Sequence, residues 1–170
     1  TLAEQLAATA ADLGVHLDER TLAEVVAIER RRLEESVHLY PSSVPVLRKL
    51  AASGYRLGLV SNVSDGAAIP IAHLGIDRLF HEMVLSHEVA LLKPDPAIFE
   101  LACRRLQVSP RETMFVADGG FGELDAAHQL GIFCVMLEQE KQSKEFGSSS
   151  RYDAKIRDLR ELEGLLDIPS

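Results

Sequence analysis

Three short stretches carry side chains whose chemistry is complementary: Ser61-Asn62 closing "LGLVSN", Lys93 inside "LLKPDPAIF", and Asp118 with Glu123 in "FVADGGFGELDAA". A hydroxyl and backbone N–H groups hold phosphate oxygens, a lysine neutralises their charge, and carboxylates hold Mg²⁺ through oxygen ligands. A carboxylate at the end of an apolar run is costly to desolvate, so Asp118 is expected to face a compensating charge. Gly119 and Gly120 allow the backbone to turn tightly beside an ion. Taken singly, Ser61-Asn62 reads as a turn or N-cap, Lys93-Pro94 as a surface loop, and Asp118-Gly119-Gly120 as a turn. The functional reading rests on their order and placement, one feature after each of three apolar runs.

Those runs are the elements that must position the chemistry. "RLGLVSN" (56–62), "EMVLS" (82–86), "TMFVAD" (113–118) and "IFCVML" (132–137) are short and continuously apolar, and helical segments separate them. Continuous rather than alternating apolar residues joined by helices indicate a parallel sheet covered on both faces, hence an α/β, Rossmann-like, doubly wound core. In such sheets the ligand lies beyond the carboxyl ends of the strands, where all three stretches fall. Helical spacing of Leu2, Leu6, Ala10 and Leu13, and then of Leu22, Val25, Val26 and Leu33 to about Leu39, predicts a pair of helices at the start. A short helix follows through Val46, Leu47 and Leu50 to Gly54, and another helix is expected to open at Val63-Ser64-Asp65. Glu138 to Arg151 is polar and loop-like. A last short strand is expected near Ala154 to Ile156, then an amphipathic helix through Leu159, Leu162 and Leu165. The expected division is residues 1–40 as a helical piece and 41–170 as the core.

Composition narrows the function classes. A net charge of −8 and a pI near 5.2 leave no broad basic surface to track a phosphate backbone, which argues against nucleic acid as the main partner. The one basic run, Arg30-Arg31-Arg32, lies among Glu29, Glu34 and Glu35 and reads as a solvated helix face with internal ion pairs. No apolar run approaches the ~20 residues of a membrane span. Cys103 and Cys134 sit in apolar periodic segments and read as reduced core residues, as in a cytoplasmic protein. The histidines show no ligand spacing, and Met83, Met114 and Met136 fall in strands as core filler.

"LGLVSN", "LLKPDPAIF" and "FVADGGFGELDAAHQLGI" resemble, in order and spacing, the second, third and fourth motifs of the haloacid dehalogenase superfamily, most of whose members are Mg²⁺-dependent phosphatases. The resemblance covers about Tyr40 to Leu166. It implies that Ser61 binds the transferring phosphoryl group with Asn62 beside it, that Lys93 holds the phosphate and the nucleophile, and that Asp118 ligates Mg²⁺ with Glu123 in support. Asp125 is placed on the next helical turn, either supporting the ion's ligands or in a structural role. By the same resemblance the opening helices are part of a helical cap over the crevice, and the substrate is a small phosphorylated metabolite. Three positions depart mildly from the family pattern: Ala117 and Ala90 stand where glycine is usual, and Gly122 where asparagine is common.

The first motif of that family, a strand ending in Asp-x-Asp whose first acid attacks phosphorus, has no counterpart. "VHLDERTL" (15–22) offers Asp18, but Arg20 stands in place of the second acid and no apolar strand precedes it; it reads as a helix N-cap. The expectation is therefore a chain inactive by itself. It would lack the central strand between those ending at Ser61 and Asp118, and ~30–45 residues carrying the nucleophile and the start of the cap would be encoded upstream. The alternative is a degenerate, non-catalytic member of the fold that keeps the pocket as a binding or interaction module. C–halogen hydrolysis is a weaker alternative, because that branch needs no metal whereas "ADGGFGE" suits a cation. Oligomeric state is open at this level.

Overall fold

Local capping chemistry sets the helix starts. Thr1 and Glu4 form a capping box at the head of α1 (Leu2–Asp12). The Asp18 carboxylate accepts the Thr21 N–H at 2.8 Å and opens α2 (Glu19–Ser36), so "VHLDERTL" is a helix start. Arg32 pairs with Glu29 at 2.6 Å on that helix, the internal pairing expected of the basic run. The computed structural model describes residues 1–63, 68–138, 150–166 and 168. The expected helix start at Ser64-Asp65 and most of the polar stretch 138–151 lie outside them; the helix of that region is described as α4 (Ala68–His73).

Two compact units divide the chain: 1–39 with 63–78, and 40–62 with 79–170. The first holds α1, α2 and α4, with α2 against α4. The sequence reading ran the core without interruption from residue 41, whereas 63–78 leaves it to join the N-terminal helices.

The second unit contains α3 (Ser43–Ala52), α5 (Ser86–Val89), α6 (Pro96–Leu106), α7 (Glu123–Gln129), α8 (Leu162–Leu165) and five strands. The strands are β1 (Gly58–Ser61), β2 (Glu82–Leu85), β3 (Met114–Ala117), β4 (Phe133–Leu137) and β5 (Ala154–Ile156). All pairings are parallel. Residues of one strand alternate between two cores, as a pleat requires. Phe115, Ala117, Cys134 and Met136 join α6 and α7 on one side, with Val60 and Val84 from the other strands. Met114, Val116, Val135 and Leu137 join Val46, Leu50 and Leu162 on the other. Both faces are covered, which explains why the strands read as continuous apolar runs.

The sheet is interrupted where the absent strand was expected. β1 pairs with β2, and β4 pairs with β3 on one edge and β5 on the other, but β1 and β3 do not pair with each other. Every residue of β3 is only half-buried, although all are apolar, whereas Cys134, Val135 and Met136 in neighbouring β4 are buried.

After β4 the chain is tied back by two aspartates. Asp125 accepts the N–H of Ser150 at 3.1 Å and of Arg151 at 2.7 Å. Asp153 accepts the Cys134 N–H at 2.7 Å and returns its own N–H to the Cys134 carbonyl at 2.8 Å. Cys134 and Cys103 are both buried and free. Burial, with the negative charges of Asp153 and Asp125, pushes the Cys134 thiol up to about 12. Because the thiolate is the nucleophile, Cys134 should resist an aromatic disulfide reagent at pH 8 until urea unfolds the chain; prompt reaction in the native protein would contradict this packing.

Candidate active site

Parallel pairing brings the carboxyl ends of β1 and β2 level, with Ser61 opposite Leu85. Asn62 follows directly, and its side chain crosses to the loop after β2. The Lys93 N–H donates to Asn62 Oδ1 at 2.8 Å, and Asn62 Nδ2 donates to the Lys93 carbonyl at 2.8 Å. Downstream, Asp95 accepts the Ala97 N–H and starts α6 with Pro96 in its first turn, which sets where this loop ends.

The Lys93 ammonium reaches the other sheet. Its Nζ lies 2.6 Å from Glu123 Oε2, at the head of α7, and 5.7 Å from the centroid of the Phe115 ring in β3. Phe115 is set edge-to-face against Phe99 of α6 at 5.1 Å between centroids. One lysine thus links the loop after β2 with the end of β3, across the interval where the strands do not pair.

The desolvated acid of the site is Glu123, only 6% exposed, whereas Asp118 is exposed. Asp118, expected to face a compensating charge, lies beside Glu123, whose own partner is Lys93. Burial raises the Glu123 carboxyl above its ordinary value; Lys93 opposes this, and the negative charge of Asp118 adds to it. Asp118 Oδ1 accepts the Gly120 N–H at 3.1 Å and so shapes the turn between the acids. Gly119 and Gly122 have φ of +80° and +73°. Gly122 therefore occupies a left-handed position that asparagine also tolerates, which accounts for the mild departure noted there.

Ala90 is a costlier departure. It closes α5 at φ +53° and ψ +30°, a conformation glycine adopts freely and alanine does not. Ala90→Gly should raise stability by about 0.5–1 kcal/mol in urea unfolding. A loss of stability would show that this loop is not held left-handed.

Asn62, Lys93 and Glu123 are joined by direct contacts, and Asp118 acts on Glu123 electrostatically. Ser61 stands at the same strand end by chain adjacency. Among the described residues no group of three or more His, Cys, Asp or Glu side chains converges. The acids that could hold a cation are thus the pair Asp118 and Glu123. Two features escaped the sequence reading: the Phe115 ring near Lys93, signalled only by its place in the alternation of β3, and the use of the Asn62 amide by the Lys93 backbone.

A sequence model of the haloacid dehalogenase-like hydrolases matches residues 2–131. The chain belongs to this family. A glyceraldehyde 3-phosphate phosphatase of Methanopyrus kandleri is 36% identical over 106 residues, 60% of this chain and 44% of the relative. An (S)-2-haloacid dehalogenase 4A of Burkholderia cepacia is 31% identical over 110 residues, 63% of this chain and 46% of that enzyme. The crystal structure of a HAD phosphatase from Thermococcus onnurineus superposes with a TM-score of 0.71 at 25% identity, covering 92% of this chain and 68% of that one. The chain spans about half the length of the curated relatives it matches. No helix among the described residues is long and apolar enough to cross a membrane.

Proposed function

We propose that this chain carries the phosphate-holding and cation-holding side of a Mg²⁺-dependent phosphatase acting on a small phosphorylated metabolite. The observation that carries the reading is the Lys93–Glu123 pair at 2.6 Å, with Asp118 close enough to raise the Glu123 carboxyl, at the carboxyl ends of parallel strands. Ser61 Oγ would donate to a phosphoryl oxygen, and the Lys93 ammonium would neutralise the charge beside it. The attacking carboxylate would come from a parallel strand seated between β1 and β3, which among the described residues pair on one edge only, with β2 and β4. Its oxygen would form a bond to phosphorus as the bond to the leaving alcohol breaks. Water would then release phosphate from the aspartyl-phosphate.

The acid pair suits Mg²⁺, which takes one or two protein carboxylates and completes its octahedron with water and phosphate oxygens. A cation beside the two acids would offset the negative charge that Asp118 sets against Glu123. Once bound, Mg²⁺ would neutralise charge on the phosphoryl oxygens. C–halogen hydrolysis, the activity in the name of the Burkholderia cepacia relative, is a weaker reading, because an acid pair suited to a cation counts against it.

Calorimetric titration with inorganic phosphate tests the proposal. Mg²⁺ should tighten phosphate binding at least about fivefold, and Asp118→Asn should remove that coupling. Phosphate binding indifferent to both Mg²⁺ and Lys93→Ala would reject it.

A further inference from the structure

Lys93 is held at both ends. Its amino group is fixed by Glu123 at 2.6 Å, and its backbone is gripped by a residue 31 positions earlier, Asn62, through two hydrogen bonds of 2.8 Å. The grip is complementary: a carboxamide presents one acceptor and one donor in a plane, and it meets the N–H and the C=O of a single residue. One such bond would leave the Lys93 backbone free to swivel. Two set its position and its rotation together.

Leu91 packs against the buried cluster of α6 and α7, but the residues on either side of Lys93 are exposed. Leu92 is 59% exposed, Pro94 and Asp95 are exposed, and the loop's own backbone bond runs from the Asp95 N–H to the Leu92 carbonyl, turning the chain without anchoring it to a strand. The Asn62 amide fastens this segment to the end of β1. The same contact occupies Oδ1 with one bond and Nδ2 with another, half of the amide's capacity.

We infer that Asn62 is a positioning residue that sets where the Lys93 ammonium stands. The resemblance gave Asn62 a place beside the phosphoryl group; the two-point contact gives it work on the lysine. The inference deepens the proposed phosphate site, but the placement of Lys93 can be tested without any ligand.

Pulse acetylation of lysines in the full chain, read residue by residue by mass spectrometry, makes that test. Lys49, itself paired with Glu163 at 2.6 Å, reports general loosening. In Asn62→Ala, Lys93 should label about tenfold faster, the size expected when two neutral hydrogen bonds are lost, with Lys49 unchanged. Asn62→Asp keeps an acceptor for the Lys93 N–H but sets a carboxylate against its carbonyl, so its rate should fall between; it carries the test if the alanine variant does not fold. Added inorganic phosphate should slow Lys93 labelling most in the wild type and least in Asn62→Ala. Lys93 rates equal to wild type in the variants, or Lys49 accelerating as much as Lys93, would overturn the inference. If phosphate protects Lys93 in no variant while Asn62→Ala still exposes it, the positioning role stands and the phosphate site falls.

Discussion

Lys93→Met should cost about 3–5 kcal/mol of stability at neutral pH, because it strands the buried Glu123 carboxylate without its partner. The deficit should depend on pH in a defined direction. The folded-state Glu123 carboxyl is already raised above its ordinary 4.5 by burial and by Asp118, and removing Lys93 deletes the influence that opposes this rise. A raised carboxyl binds its proton more tightly folded than unfolded, so it loses stability as pH climbs above 4.5. As pH falls back toward 4.5, Glu123 becomes protonated and the gap between variant and wild type should narrow. Urea unfolding at several pH values measures it. A constant gap would mean that Lys93 contributes packing alone. In a catalytically complete protein the same change should lower phosphate release by at least about 10²-fold, the loss typical of one electrostatic stabiliser.

Gly119→Ala should be the most damaging small substitution in the turn between the two acids. A Cβ there would lie 2.5 Å from Met136 Cε, 3.0 Å from its Sδ and 3.4 Å from Leu124 Cδ1, at a φ of +80°. The Met136 side chain can yield at its tip, but it belongs to the buried cluster beneath β3 and β4, so its displacement disturbs that core. Left-handed strain adds about 1–2 kcal/mol, for a total of roughly 2–4 kcal/mol. Movement of the turn should also displace Asp118 and weaken any Mg²⁺ dependence. Chemical denaturation reads the first effect. A variant as stable as wild type would mean that this turn relaxes without strain.

The strands could be read from sequence because both faces of the sheet are covered, so each appears as an unbroken apolar run, shortened in the structure only at its ends. Capping chemistry is equally local, which is why Asp18 could be placed at a helix start. Strand order has no such local signature. The interval between β1 and β3 was anticipated from family resemblance, and periodicity alone could not have located it. The departure of 63–78 from the core depends on α4 meeting α2, a contact between segments distant in sequence. The site divides the same way. Residue types and their place after strands nominated Ser61, Lys93, Asp118 and Glu123. Which acid would be buried was decided by packing: Glu123 opens a helix lying on the sheet, and Asp118 stays at an exposed strand end. The family pattern flagged Ala90, and its positive φ supplies the physical reason.

The strand interval between β1 and β3 and the groups at its rim are tested most directly by phosphate release from an aryl phosphate by this chain with a strand ending in Asp-x-Asp joined ahead of Thr1. Turnover that requires Mg²⁺, and that disappears in Lys93→Ala and in Asp118→Asn, is the predicted result. Turnover that survives either substitution, or a joined strand that folds between β1 and β3 and yields no phosphate, would contradict it.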